Sequence, residues 1–265
     1  MIVGSNDWST IAFGENTYNI PATPIYVAAG SNGYVTSSGD GKVWSTPKQV
    51  GSKNWFGIAC NNDIFVLVGS NGYISSSISS SYWDEPKQVG TNNWNAVTYN
   101  KGIFVAVGMN GFITTSTNGK NWTTPKQVSS DYWQGVTFGN GRFVAAGQNG
   151  NIITSTDGIN WTTPKQIGEN NWNAIIYGNN RFVAVGVNGY TTMSTDGINW
   201  TDPKQVTTYS WFNVTFGYGK FIVVGDYYGY ISTSTDGITW TTPEQLKNES
   251  GSPVEKMFRG ICIMP

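Results

Sequence analysis

The groups that could carry chemistry are few: sixteen carboxylates, three arginines and two cysteines, with no histidine among 265 residues. Without histidine, a Ser-His-Asp triad, a His-ligated zinc site and the commonest general base are all excluded. A pair of carboxylates at the right separation could still hydrolyse a glycosidic bond. Four of the acids, however, recur in one turn, and the others, such as Asp7, Glu15, Asp84, Glu85, Glu169 and Glu244, form no recognisable pair. The expectation is a protein that is not an enzyme and that uses no cofactor or metal. What remains is recognition chemistry: 14% aromatics and many Asn, Ser, Thr and Gly residues. Aromatic faces beside amide side chains suit neutral sugars, because C–H groups stack on the ring while hydroxyls meet donors and acceptors.

These groups are positioned by a repeat. One tryptophan series runs Trp55, Trp94, Trp133, Trp172, Trp211 at intervals of 39 residues, with Trp8 standing 47 residues before it. A second runs Trp44, Trp83, Trp122, Trp161, Trp200, Trp240 at intervals of 39, and 40 at the last step. In the unit from Trp133 to Glu169, WQGVTFG, RFVAAG, NIITSTDG and INWTTPKQI read as four strands, A to D, joined by Asn-Gly and Asp-Gly turns. Strand B, Phe143 to Ala146, has no polar face and must be buried on both sides, which radially stacked sheets provide. The pattern predicts an all-β chain: a six-bladed β-propeller of four-stranded antiparallel blades. The units are 1–50, 51–89, 90–128, 129–167, 168–206 and 207–246, in a single domain. A surplus A-like strand within 257–265, Phe258 to Met264, is expected to dock on the first blade, so that the chain ends close the ring there. Two insertions, Glu15 to Pro24 and Lys247 to Lys256, fall near this closure.

In such a fold the B–C and D–A loops share one face and the A–B and C–D turns the other. The first face would carry Tyr34, Tyr73, Phe112, Tyr190 and Tyr230 near Lys48, Lys87, Lys126, Lys165 and Lys204. Together with Trp94, Trp133, Trp172 and Trp211 at the starts of A strands, and Asn93 and Asn171 just before them, these are the candidate ligand-binding residues; Lys87 and Lys165 are the candidate cations. Two roles stay open for the tryptophans, a plug between blades or a stacking platform. For Pro-Lys-Gln-Val the alternative to ligand contact is a strand D whose lysine discourages edge-to-edge pairing.

The C–D turn Ser155-Thr156-Asp157-Gly158-Ile159-Asn160-Trp161 recurs as Ser194 to Trp200 and Ser234 to Trp240. It resembles the Asp-box, or BNR, repeat of sialidase-like propellers, except that Asp and Gly are adjacent here. The short form is similar to repeats of bacterial surface and phage tail proteins, which implies a propeller displayed on such an assembly. Sialidase-like catalysis needs an arginine cluster, whereas Arg142 and Arg181 occupy A–B turns and read as solvated turn residues. The turn reads as structural, with Asp157 accepting backbone N–H groups and Gly158 at positive φ. One carboxylate per turn is too few ligands for calcium. Two copies have drifted: Asn118 replaces the Asp in the third unit, and the second reads SISSSYW from Ser77 to Trp83.

Charged residues amount to 12% with a net charge of −1, so no basic surface for nucleic acid is expected. No apolar run is long enough for a membrane span. Met1 to Trp8 lacks the features of a secretory signal, and glycans at Asn121-Trp122-Thr123 or Asn160-Trp161-Thr162 would obstruct blade packing, against a eukaryotic secretory route. Cys60 and Cys262 read as buried thiols, with a chain-closing disulfide as the alternative. The function expected is a lectin-like or receptor-binding propeller recognising glycans or a host-surface receptor; the alternative is a structural or protein–protein module with an assembly partner. Its expected place is extracellular or virion-associated without a signal peptide, the alternative being cytoplasmic.

Overall fold

The computed structural model describes residues 7–16, 23–61, 63–225, 228–248, 250–254 and 259–262. The chain is an all-β, six-bladed β-propeller of four-stranded antiparallel blades. Its contacts divide at Ser130/Asp131 into two compact units, each holding three blades. In the first unit, blade 1 comprises β1 (Trp8–Asn16), β2 (Thr23–Gly30), β3 (Tyr34–Ser38) and β4 (Lys48–Gln49). Blade 2 comprises β5 (Trp55–Cys60), β6 (Phe65–Gly69), β7 (Tyr73–Ser77) and β8 (Lys87–Gln88). Blade 3 comprises β9 (Trp94–Asn100), β10 (Ile103–Gly108), β11 (Phe112–Ser116) and β12 (Lys126–Gln127). The second unit repeats the plan: β13 (Trp133–Gly139), β14 (Arg142–Gly147), β15 (Asn151–Ser155) and β16 (Lys165–Gln166) form blade 4. Blade 5 is β17 (Trp172–Gly178), β18 (Arg181–Gly186), β19 (Tyr190–Ser194) and β20 (Lys204–Gln205). Blade 6 is β21 (Trp211–Gly217), β22 (Lys220–Gly225), β23 (Tyr230–Ser234) and β24 (Glu244–Gln245).

The second strand of a blade is apolar because both its faces are covered. Phe104 to Val107 and Phe143 to Ala146 are each fully buried. Within the first unit Val27, Ala29 and Val35 of blade 1 pack on Trp55, Phe65 and Leu67 of blade 2. Blade 2 in turn presents Val66, Val68 and Ile74 to Trp94 and Phe104 of blade 3. In the second unit Val144 and Ala146 meet Trp172 and Phe182, and Val183 and Val185 meet Trp211 and Phe221. Each Val, Leu, Ile or Phe among them contributes roughly 1.5–3 kcal/mol by leaving water.

The turns explain the recurrent Asn-Gly pairs. Asn149 stands at φ 56° and Gly150 at φ 72° in the turn between β14 and β15. A Cβ on Gly150 would lie 2.2 Å from the Gly168 carbonyl oxygen, so both conformation and space demand glycine there. The fourth strands are two residues long, each beginning one residue after a proline, which blunts these sheet edges.

The two insertions have distinct structures. The described part of the first lengthens the β1–β2 hairpin, pairing Glu15 with Pro24 and Asn16 with Thr23. The second folds on itself through a Lys247–Pro253 bridge and a bond from Val254 N–H to the Leu246 carbonyl (2.8 Å). Of the surplus strand, Phe258 and Ile263 to Pro265 lie outside the described residues, as do Glu255 to Met257. Arg259–Cys262 belong to no strand. They run beside blade 6, where Asn213 Nδ2 donates to the Arg259 carbonyl (2.7 Å). Cys60 and Cys262 form no disulfide, and both are half-buried rather than buried. Burial first, and Asp63 second, push the Cys60 thiol up to about 12.

Candidate functional site

The sequence left two roles for the first-strand tryptophans, and packing decides between them. Trp94, Trp133, Trp172 and Trp211 are all 0% exposed. A ring closed on both faces cannot stack on a sugar, so their assignment as ligand contacts is corrected to core. Trp94 Nε1 donates to the Val89 carbonyl (3.0 Å) and Trp172 Nε1 to that of Gly150 (3.2 Å), so each also ties down a loop.

Asn93 and Asn171 are likewise committed inside the fold. The Asn93 side chain accepts the N–H of Asn71, in the blade 2 turn (2.8 Å), while its own carbonyl accepts Met109 N–H in blade 3 (3.0 Å). Asn171 does the same between blades 4 and 5, accepting Asn149 N–H (2.9 Å) and Val187 N–H (3.1 Å). The repeated glutamines have a parallel duty: Gln49, Gln88, Gln127 and Gln205 each donate to the carbonyl of the left-handed Asn in their own blade, at 2.8–2.9 Å. An amide holding a turn together is not open to a ligand hydroxyl without breaking that turn.

The lysines point elsewhere. Lys165 Nζ donates to the Ile198 carbonyl in the C–D turn of blade 5 (2.9 Å). Lys87 is exposed and lies among Asp84, Lys120 and Trp122, against the corresponding turn of blade 3. Pairing of β7 with β8 sets Gln88, not Lys87, opposite Tyr73. Alternation therefore sends the lysine toward the neighbour's C–D turn, not to the aromatic ring expected beside it. Arg181, read from sequence as a solvated turn residue, is also engaged: its Nη1 donates to the Asp236 carbonyl of blade 6 (2.7 Å).

Tyr34, Tyr73, Phe112, Tyr190 and Tyr230 are half-buried. Four of them, Tyr73, Phe112, Tyr190 and Tyr230, rest on the interblade cores, leaving part of each ring at the surface. Lys53 Nζ lies 5.3 Å from the Tyr73 centroid, and Tyr209 stacks on Tyr230 at 4.0 Å.

One set of surface positions was not read from the sequence. In every blade the first strand carries a β-bulge directly after its tryptophan, where two residues oppose one. The bulge residues are Ser9, Phe56 and Asn95 in the first unit, and Gln134, Asn173 and Phe212 in the second; all are half-exposed. A bulge re-aims a side chain out of the regular alternation. Close by, the residue opening the B–C turn also varies, as Ser31, Ser70 and Met109, then Gln148 and Val187. The signal in the sequence was variation: these positions change identity where their neighbours repeat. In the second unit this surface includes Arg259, whose guanidinium lies 5.5 Å from the Phe212 centroid.

The opposite turns hold the acids. Asp157 Oδ1 accepts the N–H groups of Ile159 and Asn160, both at 2.8 Å, and Ser155 Oγ accepts that of Gly158 (2.8 Å). The Asn160 and Ile159 amides hold the Asp157 carboxyl well below the usual carboxylate range. Asp236 is lowered to about 2: although desolvation raises it, the Thr239 and Ile238 amides together outweigh that burial. Asn118 makes the same two backbone bonds without charge (3.0 and 2.8 Å). In blade 2 the Asp and Gly are gone, and Ser80 takes the left-handed position at φ 59°. Carboxylates pinned in the ionised form by their own turns are the opposite of a general acid. Among the described residues no group of three or more His, Cys, Asp or Glu could hold a metal, and no helix is long and apolar enough to cross a membrane.

No protein-family model matches the chain, and no curated protein matches it. Among solved structures it is similar to one described as YCF48 bound to D1 peptide, with a TM-score of 0.66 and 14% identity. The match covers 90% of this chain and 85% of the other. The resemblance to Asp-box repeats therefore stands on the turn alone, and what the solved structure shares with this chain is the propeller fold.

Proposed function

We propose that the chain is a recognition module that binds a polypeptide segment of a partner protein through the face that the first-strand bulges and the B–C turns form within a unit. The observation that carries this reading is the contrast on that face: tryptophans and repeated amides are used up internally, while the half-exposed bulge positions vary and include Phe56 and Phe212. Phe56 with Met109 in the first unit, and Phe212 with Val187 in the second, offer apolar anchors bordered by amides. That is the composition of peptide-binding surfaces, where a few aromatic anchors carry most of the affinity. The solved structure described as YCF48 bound to D1 peptide supports it, because a protein of similar fold binds a peptide. A particle- or surface-borne receptor-binding protein outside the cell, or a cytoplasmic assembly protein, would both use such a face.

Glycan recognition is the second reading, favoured by the partly exposed rings of Tyr34, Tyr73, Phe112, Tyr190 and Tyr230. The test sets the two side by side. A random peptide display library is panned on the purified chain, and selected peptides are titrated against wild type, Phe56→Ser and Tyr73→Ser. Peptides whose affinity falls about tenfold or more with Phe56→Ser are the expected result. A library without enrichment on folded protein refutes the polypeptide reading, and a competable glycan signal lost with Tyr73→Ser would install the other.

A further inference from the structure

Blade 2 departs from its siblings, and its departures are concentrated at one place. Where blades 3 to 5 carry Asn121, Asn160 and Asn199 ahead of the second tryptophan, blade 2 carries Tyr82. Where blade 3 has Thr123 and Thr124 after it, blade 2 has Asp84 and Glu85. These residues line a groove of about 350 Å³ between the segment 81–86 of blade 2 and Lys48 to Gly51 of blade 1. Both blades belong to the first unit. A volume of this size falls within the range of small-ligand sites, about 300–1,000 Å³.

The groove's chemistry is specific. Tyr82 is 85% exposed, an aromatic ring held in water where blades 3 to 6 place a small polar residue and blade 1 places Val43. Trp83 beside it is half-buried and spends its Nε1 on the Ser80 carbonyl (3.0 Å), which fixes the indole. Asp84 is bound by Ser76 Oγ (2.7 Å) and Lys120 (3.1 Å), so its carboxylate is oriented and partly neutralised from outside the groove. Lys48 and Glu85 are exposed and of opposite sign. The groove thus offers an apolar ring face, hydrogen-bonding groups of both kinds, and no charge excess to select an ion.

We infer that this groove is a binding site for an uncharged saccharide, stacked on Tyr82 with hydroxyls bonded to Glu85 and Lys48. It is separate from the surface proposed for the polypeptide, since it sits at the fourth strands of its blades while the bulges lie on the first. An ionic ligand gains nothing from a balanced pair. A wholly apolar ligand would strip water from Lys48 and Glu85 without replacing it. A sugar ring meets both demands, using C–H groups on one face and hydroxyls at the edge.

The test is a glycan array probed with labelled wild type, Tyr82→Asn, Glu85→Gln and Phe56→Ser. Tyr82→Asn installs the residue of blades 3 to 5 at a solvent-exposed site, and its thermal midpoint is measured beside wild type to certify folding. Binding to neutral glycans that falls at least tenfold in Tyr82→Asn and persists in Phe56→Ser is the expected result. A blank array with folded wild type overturns the inference, as does glycan binding that Tyr82→Asn leaves intact. Peptide binding abolished by Tyr82→Asn would also overturn it, by giving the groove to a polypeptide.

Discussion

Replacing Asp157 by alanine removes one acceptor that serves the backbone N–H groups of Ile159 and Asn160, the Asn160 side chain (2.9 Å) and the Ser155 hydroxyl (2.9 Å). The freed N–H groups lie at the surface and regain water, so the loss resembles that of a helix cap, about 1 kcal/mol. For a chain of this size that lowers the thermal midpoint by about 2–4 °C at pH 7. Asp157→Asn should cost less, about 0.5 kcal/mol, because Asn118 already holds the same two amides in blade 3. The pH dependence separates the two variants further. The folded carboxyl is depressed, so its extra stability is fully present above the unfolded value, about 3.9, and is lost as pH falls through the folded one. The gap between wild type and Asp157→Asn should therefore be constant from pH 7 to about 5 and narrow below about 4. Thermal unfolding followed by circular dichroism across that range measures it. A gap independent of pH, or an alanine variant as stable as wild type, would show that the turn is not organised by its carboxylate.

Two further outcomes follow from packing. Trp94→Ala should cost about 3–5 kcal/mol in urea unfolding, as expected for a fully buried indole; a loss under 1 kcal/mol would mean the ring is not the plug between blades 2 and 3. Gly150→Ala and Gly141→Ala separate space from conformation, since both glycines have positive φ but only Gly150 faces a carbonyl at 2.2 Å. Gly141→Ala should cost about 1 kcal/mol, the penalty of the left-handed region, and Gly150→Ala visibly more, by the same unfolding measurement.

The fold was legible because its signals are local and repeated. Strand B of each blade has no polar side, Asn-Gly and Asp-Gly mark the turns, and the tryptophan spacing counts the blades. The site was much less so. Pro-Lys-Gln-Val reads as one surface stretch, yet alternation sends Gln88 to a turn carbonyl and Lys87 toward the next blade. Asn93 looks like an exposed loop amide, and only the neighbouring blade, 22 residues back in sequence at Asn71, claims its side chain. The bulge after each tryptophan breaks the two-residue period in a way no composition reveals, so Phe56 and Phe212 were hidden beside more conspicuous residues. The SISSSYW stretch reads in sequence only as drift. Its position against Lys48 is what turns that drift into a groove.

The amide brackets carried by Asn54, Asn93 and Asn171 make blades 1, 2 and 4 each depend on the blade that follows. Asn32, Asn71 and Asn149 have backbone N–H groups whose acceptor arrives only with the next blade. A blade within either unit is thus an incomplete object, finished by its successor's first residue before the tryptophan. Stability in such an array spreads along nearest neighbours. Deuterium exchange at Asn71 should report the docking of blade 3 and not the folding of blade 2 alone. Gene duplication that adds one whole unit preserves every bracket, whereas an insertion or deletion between Asn71 and Asn93 slides the two apart. The unvarying 39-residue period of the middle blades is what such a constraint would leave behind.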